Sequence, residues 1–367
     1  MFYRAIGIMS GSSLDGLDIC FTEFDEIGGK WNYEIKASAC MPFSDEWVEK
    51  LQSAIHLDAR SYMRLHTAFG QYIGQQVNTF IETNSLQHRV QLIASHGHTT
   101  FHEPQYKMTG QIGDGAAIAA MTGINVVSDL RAMDVALGGQ GAPIVPIGER
   151  LLLGGHKYFL NLGGIANISA NLPDSYVAFD VCPANRVLNM LVKEMGHDYD
   201  DEGAIAESGS VNEVLLNELN ALDFYQAAYP KSLANDFGTD TVYPMIAKAG
   251  LSIPDALRTQ VAHMVAQIKN AVLQIDQQFP SNGAPATMLV CGGGALNTFV
   301  INQLSAALEP LAITVVVPDK TLIEFKEALI MSLIGVLRWR EENNVLHSVT
   351  GASRSSIGGA VWIGQQA

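Results

Sequence analysis

One pattern recurs in this chain: an apolar strand, a glycine-rich turn, then a second strand. It appears first at Gly7-Ile8-Met9-Ser10-Gly11-Ser12-Ser13-Leu14-Asp15-Gly16-Leu17-Asp18, between apolar runs at 2–8 and 17–24. It returns at Asn161-Leu162-Gly163-Gly164-Ile165-Ala166-Asn167-Ile168. A third glycine turn, Gly292-Gly293-Gly294, follows the apolar strand 288–291 and precedes a helix expected from about Ala295. Around these turns the order of elements is roughly duplicated, as hairpin, strand, helices, strands, although no sequence repeat is visible. An α/β chain of this kind is expected to form two related halves facing each other across a cleft, the default place for a ligand. The loop Leu137-Gly138-Gly139-Gln140-Gly141-Ala142-Pro143 lies near the expected division, with one domain of residues 1–135 plus 343–367 and another of 136–342.

Local patterns fill in the elements. Residues 31–41 alternate as a third strand, and Ser44 is a natural cap for a helix to about residue 57. Tyr62, Leu65, Phe69, Ile73, Val77 and Phe80 recur at helical spacing and predict a helix over 61–83. Short strands are expected at 90–95, 124–127, 177–180 and 313–317. Helices are expected at 114–121, from Pro183 to about residue 195, at 212–222, 254–279 and 324–340.

Net charge narrows the partners. With 22 Lys and Arg against 37 Asp and Glu, the formal charge is −15. Such a chain repels nucleic acid and anionic membranes, so neither is an expected partner. Any phosphate site must then be built locally, from backbone amides, a few basic groups or a metal. Cys20, Cys40, Cys182 and Cys291 have no CxxC spacing and read as reduced thiols. With no signal peptide and no apolar run of membrane-spanning length, a soluble cytoplasmic protein is the expectation.

The turns suit phosphate chemistry. Glycine lets a ligand approach the backbone, and successive N–H groups of a tight turn make an anion-binding concavity. In the first turn Ser10, Ser12 and Ser13 add hydroxyls, and Asp15 could hold a metal directly or through water. None of the turns fits GxxxxGK[ST] or GxGxxG with its acidic follower, so neither a Walker site nor a dinucleotide domain is indicated. Gly292 to Gly294 fits an adenosine platform as well as it fits close helix–strand packing. Asp180, at a strand end, suits a general base or an ordinary N-terminal helix acid. His96, His98 and His102, with Glu103 nearby, read either as a zinc set or as hydrogen-bonded scaffold and substrate contacts. Asp129 and Arg131 pair an acid with a guanidinium fork suited to a carboxylate or phosphate, with a surface salt bridge as the plainer reading. Glu324 and Glu327 are expected to open a helix, either contacting sugar hydroxyls or serving as N-terminal acids.

Taken in order, the motifs at 7–16, Ser95-His96-Gly97-His98-Thr99, 138–143, 161–168, Cys291-Gly292-Gly293-Gly294-Ala295 and Val349-Thr350-Gly351-Ala352 resemble the anhydro-N-acetylmuramic acid kinase family over nearly the whole chain. The resemblance implies the actin-like, ribonuclease H-like fold of sugar kinases and heat-shock ATPases, with two α/β domains around an ATP cleft. It implies ATP and Mg2+ as cofactors, an amino sugar as substrate, and a homodimer as the expected assembly. In the family's reaction a carboxylate activates water, which opens the 1,6-anhydro bridge, and the freed O6 takes the γ-phosphoryl of ATP. The motif places that base at Asp180. ATP binding falls to Gly11, Ser12, Ser13, Leu14, Asp15, Gly16, Leu17, Asp18, Asn161, Gly163, Gly164, Gly292, Gly293, Gly294 and Asn297. Sugar contacts fall to His96, Arg131 and Glu327, and magnesium to Asp15 and Asp18 through water. The sequence departs from the family pattern at Ser12 (usually Thr), His98 (usually Gln), and Val181-Cys182 (usually Thr-Gly). These departures keep open a kinase of the same fold acting on another anhydro sugar. A histidine-based metal hydrolase and a non-catalytic ATP-binding switch are the remaining alternatives.

Overall fold

A computed structural model describes residues 1–11, 13–173, 175–229, 231–234, 236–280 and 284–364. Contacts divide the chain into two compact units, Met1–Leu153 with Phe325–Ala367, and Gly154–Glu324.

The first unit holds β1 (Phe2–Ser10), β2 (Gly16–Ile27), β3 (Lys30–Pro42), β4 (Leu92–Ser95), β5 (His98–Glu103), β6 (Met108–Ile112), β7 (Asn125–Ser128) and the last strand, β13 (Ala360–Trp362). Its main sheet runs β13-β7-β4-β1-β2-β3, with β1, β4 and β7 parallel and β2 antiparallel to both β1 and β3. The second unit holds β8 (Tyr158–Leu162), β9 (Ile165–Asn171), β10 (Tyr176–Pro183), β11 (Ala286–Cys291) and β12 (Ile313–Val316), ordered β10-β9-β8-β11-β12. Here β8, β11 and β12 are parallel, and β9 is antiparallel to both β8 and β10. Reading β3-β2-β1-β4-β7 against β10-β9-β8-β11-β12 gives one arrangement twice: an antiparallel three-strand meander followed by two parallel strands. This is the duplication that the element order predicts and the ribonuclease H-like layout that the family resemblance implies, with β13 as an added edge in the first unit.

The parallel strands are apolar runs because both faces are covered. Every residue of β4 and β7 is buried, and Ile6 and Ile8 of β1 are fully so. The Ala59–Thr83 helix lays Phe69, Ile73 and Val77 on one face of this sheet's core. The Lys320–Trp339 helix covers the other face at very close range. A Cβ on Gly7 would overlap the Ala328 carbonyl and come 2.5 Å from the Ser332 nitrogen, and one on Gly335 would lie 2.6 Å from the Ala94 Cβ. In the second unit the Ile253–Gln278 helix plays the corresponding part, burying Leu257, Val261, Met264, Ile268, Val272 and Ile275.

Several boundaries differ from the sequence reading, each for a local reason. The second helix begins at Ala59 rather than residue 61 because Asp58 caps it, accepting from the Arg60 and Ser61 N–H groups. The late helix begins at Lys320, where Asp319 Oδ1 accepts from the Leu322 N–H at 2.9 Å. Glu324 and Glu327 therefore lie beyond the first turn rather than opening the helix. Pro183 ends β10 instead of starting a helix, which begins at Asn185. β10 is an edge strand, where proline is tolerated. The β5–β6 hairpin and the short helices Ala132–Ala136 and Pro146–Leu152 occupy stretches for which the sequence predicts no element. Their runs are too polar or too brief to show a period.

The unit boundaries also move, from 135/136 and 342/343 to 153/154 and 324/325. The Pro146–Leu152 helix packs Gly148 on Ile330, and Glu149 forms a buried ion pair with Lys326 at 3.0 Å. These contacts bind both stretches to the first unit. The four cysteines are free thiols. Among the described residues no helix is long and apolar enough to cross a membrane.

Candidate active site

In each unit the predicted residues collect at one edge of the sheet, where the parallel strands end at their C-termini. Side chains and turns at this edge are free to meet a ligand because the chain is leaving the sheet there. In the first unit β1 ends at Ser10, β4 at Ser95 and β7 at Ser128, so the turn at 11–15, His96 and Arg131 all follow strand ends. In the second unit β8 leads into Gly163 and Gly164, and β11 into Gly292 to Gly294. β10, also parallel to β8, carries Asp180, paired in register with Asn167.

The glycines separate into two kinds. Gly16, Gly292 and Gly294 are required by packing. A Cβ on Gly16 would lie 2.6 Å from the Met41 carbonyl oxygen, one on Gly292 2.7 Å from Asn161 Oδ1, and one on Gly294 2.7 Å from the Leu162 Cβ. Gly292 also has a φ of +80°, which disfavours any side chain. By contrast, a Cβ on Gly11, Gly163, Gly164 or Gly293 would come no closer than 3.5 Å to any described residue beyond its chain neighbours. Among the described residues no contact demands glycine at these four positions, and their backbone is left uncovered. Packing thus accounts for Gly292 and Gly294, and leaves Gly293 exposed between them. Asn161 Oδ1 stands beside Gly292, and Asn297 caps the Thr298–Leu308 helix by accepting from the Val300 N–H at 3.0 Å. Of the remaining predicted ATP residues, Ser13 and Asp15 are exposed in the first turn, Leu14 is held at a φ of +61°, and Leu17 is core. Asp18 is half-buried on β2, and Ser12 lies outside the described residues. Asp15 and Asp18 sit at one end of the hairpin, a donor set that suits magnesium, which takes one or two carboxylates together with phosphate oxygens.

The basic end of the first unit is a connected network. Arg131 donates from Nε to His96 Nε2 at 2.7 Å and from a terminal nitrogen to the Gly141 carbonyl. An arginine only donates, so His96 Nε2 must accept, and the proton sits on Nδ1, which donates to the Gly97 carbonyl at 2.9 Å. Burial, helped by the Arg131 charge, pulls His96 down to about 3, so it stays neutral. Both ring nitrogens are engaged. His96 therefore neither serves as a zinc ligand nor offers a free nitrogen to a sugar. It holds Arg131 in place instead. Arg131 is drawn down to about 10 by burial, against the opposing charges of Glu327 and Asp134, and remains a cation. Asp134 in turn accepts from the Gly141 N–H at 2.7 Å and the Thr350 hydroxyl at 2.7 Å, which ties the 138–143 loop to the C-terminal motif. His98 Nδ1 meets the Ser10 hydroxyl at 3.1 Å, and burial lowers its pKa. Among the described residues no group of three or more His, Cys, Asp and Glu could hold a metal ion.

Asp180 lies beside a bulge in β10, with its Oδ2 accepting from the Ser232 hydroxyl at 3.0 Å and the Leu233 N–H at 2.8 Å. Its unusual neighbours turn inward. Val181 and Cys182 are both in the core of the second unit, and burial pushes the Cys182 thiol up.

Comparison with known proteins gives the family. The family model for anhydro-N-acetylmuramic acid kinase matches residues 3–364. Curated relatives of that name are 32% identical: one from Sulfurovum over 98% of this chain and 99% of its own length, one from Haemophilus influenzae over 97% of each, and one from Coxiella burnetii over 99% and 98%. Among solved structures, an activator of 2-hydroxyisocaproyl-CoA dehydratase from Clostridium difficile aligns at 12% identity and a TM-score of 0.45, covering 92% of this chain and 96% of its own. The chain belongs to the anhydro-N-acetylmuramic acid kinase family, and with it to the ATP-dependent sugar kinases.

Proposed function

We propose that the chain uses ATP to phosphorylate O6 of 1,6-anhydro-N-acetylmuramic acid while water opens the anhydro bridge, giving N-acetylmuramate 6-phosphate and ADP in the recycling of peptidoglycan. The substrate follows from the family. Asp180 acts as general base: it takes a proton from water as the water oxygen bonds to the anomeric carbon, the bond from that carbon to the bridging oxygen breaks, and O6 attacks the γ-phosphorus. The observation that carries this role is the state of its carboxylate. Oδ2 is held by two donors, while among the described residues no donor reaches Oδ1. A base needs one such oxygen within reach of its proton.

Phosphoryl transfer asks a protein mainly for positioning and charge stabilisation. In a chain of net charge −15 this falls to backbone N–H groups, those of Gly11 and Ser13 in one unit and of Gly163 and Gly164 in the other. The open Cα of Gly293 takes the adenosine side. Arg131 and Glu327 contact the sugar, and Asp15 and Asp18 would hold magnesium through water, an ion that would neutralise charge on the phosphates. The chemistry spends ATP, which supports a cytoplasmic location. The inward direction of Val181 and Cys182 supports the family's substrate over another anhydro sugar, because neither replacement alters a ligand-facing atom.

The test is product analysis by mass after incubation with ATP, magnesium and the anhydro sugar. A gain of both water and a phosphoryl group is expected. Asp180→Asn should abolish product while nucleotide binding persists. A sugar phosphate that retains its anhydro bridge would refute the joined reaction.

A further inference from the structure

We infer that Ser232 is a positioning residue for Asp180. Together with the Leu233 N–H it fixes Oδ2 and so selects Oδ1 as the oxygen that takes the proton. This rests on Asp180 being the base. The segment 231–233 lies along the outer edge of β10, where Asp180 also donates its own N–H to the Lys231 carbonyl at 3.1 Å. Three bonds thus join the residue to this segment, two through its carboxylate and one through its backbone. A carboxylate left to rotate about its last bond would present either oxygen. Two donors on one oxygen remove that freedom, and hydrogen bonds to a charged acceptor are the stronger kind.

The segment is itself anchored. Lys231 donates to the carbonyls of Phe224 at 3.1 Å and Ala227 at 3.2 Å, and its ammonium stands 4.7 Å from the centre of the Phe224 ring. Burial lowers the Lys231 pKa. On the other side Leu233 is buried, and Gly238 sits against Pro183, where a Cβ would be 3.1 Å from the proline Cβ. The strap is therefore pinned on both sides of Ser232, while Ser232 itself is exposed and contributes little packing. Its hydroxyl is placed by the strap, and its work is directed at Asp180.

Steady-state kinetics on the full chain test this. Ser232→Ala should lower kcat about tenfold, the scale expected for a misdirected catalytic group, with the KM values for ATP and sugar and the melting temperature held. Ser232→Thr keeps the hydroxyl and should restore most of kcat. Lys231→Met, which frees the strap, should lower kcat in the same direction. A Ser232→Ala enzyme with the wild-type kcat, a Thr variant no better than Ala, or a loss confined to KM would each overturn the inference while the proposed reaction stands. A wild-type chain that forms no sugar phosphate would overturn the reading of Asp180 and this inference with it.

Discussion

Lowering the pH from 7 to 5 should destabilise the second unit through one buried histidine. His263 is fully buried on the Ile253–Gln278 helix, with Nδ1 2.7 Å from Asn220 Oδ1 and Nε2 2.9 Å from the Tyr225 hydroxyl. The Asn220 oxygen also accepts from Gln267 Nε2, at 2.8 Å. It can only accept from His263, so Nδ1 carries the proton and Nε2 accepts from the tyrosine, which is the neutral form. Burial draws His263 down to about 3. Its folded pKa therefore lies below the ordinary value of about 6.5. Above that value neither state binds the proton. Below it the unfolded chain takes up a proton that the folded chain refuses, so stability is lost as pH falls from about 6.5 towards 3, at roughly 1.4 kcal/mol per pH unit. At pH 5 the loss is about 2 kcal/mol. His263→Gln removes the titration. It should be less stable than wild type at pH 7, yet lose about 2 kcal/mol less on going to pH 5. The measurement is urea unfolding followed by circular dichroism at both pH values. All four tryptophans, Trp31, Trp47, Trp339 and Trp362, lie in the first unit, whose own buried His96 titrates alike in variant and wild type, so their fluorescence should show the same pH dependence in both. Equal pH dependence of the variant and wild type in the dichroism signal would refute the reasoning.

Other outcomes follow from the same geometry. Gly7→Ala should cost the first unit about 3 kcal/mol or more, because the added carbon meets helix backbone rather than a movable side chain; thermal unfolding checks this. Gly292→Ala and Gly293→Ala should separate cleanly. The first should lower the melting temperature, while the second should leave it in place and weaken nucleotide binding, measured by calorimetry, by about tenfold if adenosine lies on that backbone. Arg131→Lys keeps the charge but loses the fork that spans His96 and Gly141. It should lower kcat/KM for the sugar by at least about tenfold with nucleotide affinity unchanged, and an unaltered sugar kcat/KM would count against Arg131 as a sugar contact.

The strands, the long helices and the glycine turns were legible because each is a local pattern. The apolar runs at 2–8, 90–95 and 288–291 read as strands, and the helical spacing over 62–80 reads as a helix with one buried face. Asp180 and Arg131 stood out as charged groups at strand ends. Their partners did not stand out. Ser232 lies 52 residues from Asp180, and Arg131 lies 35 from His96. Neither separation leaves a trace in spacing, composition or charge. The β5–β6 hairpin was missed for a related reason: its polar residues face one another across the hairpin, as Thr99, Thr109 and Gln111 do, and not a core.

The amino-acid sequence by itself thus determined the twice-repeated order of elements and, with it, the family of the chain, since both are written in neighbouring residues. The tertiary structure alone decided which glycines are required by packing and which are left open, because that depends on the backbone that arrives opposite each one. It also decided that His96 supports Arg131, that the late helix belongs mostly to the first unit, and that Ser232 and Leu233 hold one oxygen of Asp180. Each of these is a contact between residues distant along the chain, and only the packed fold brings them within a few ångströms.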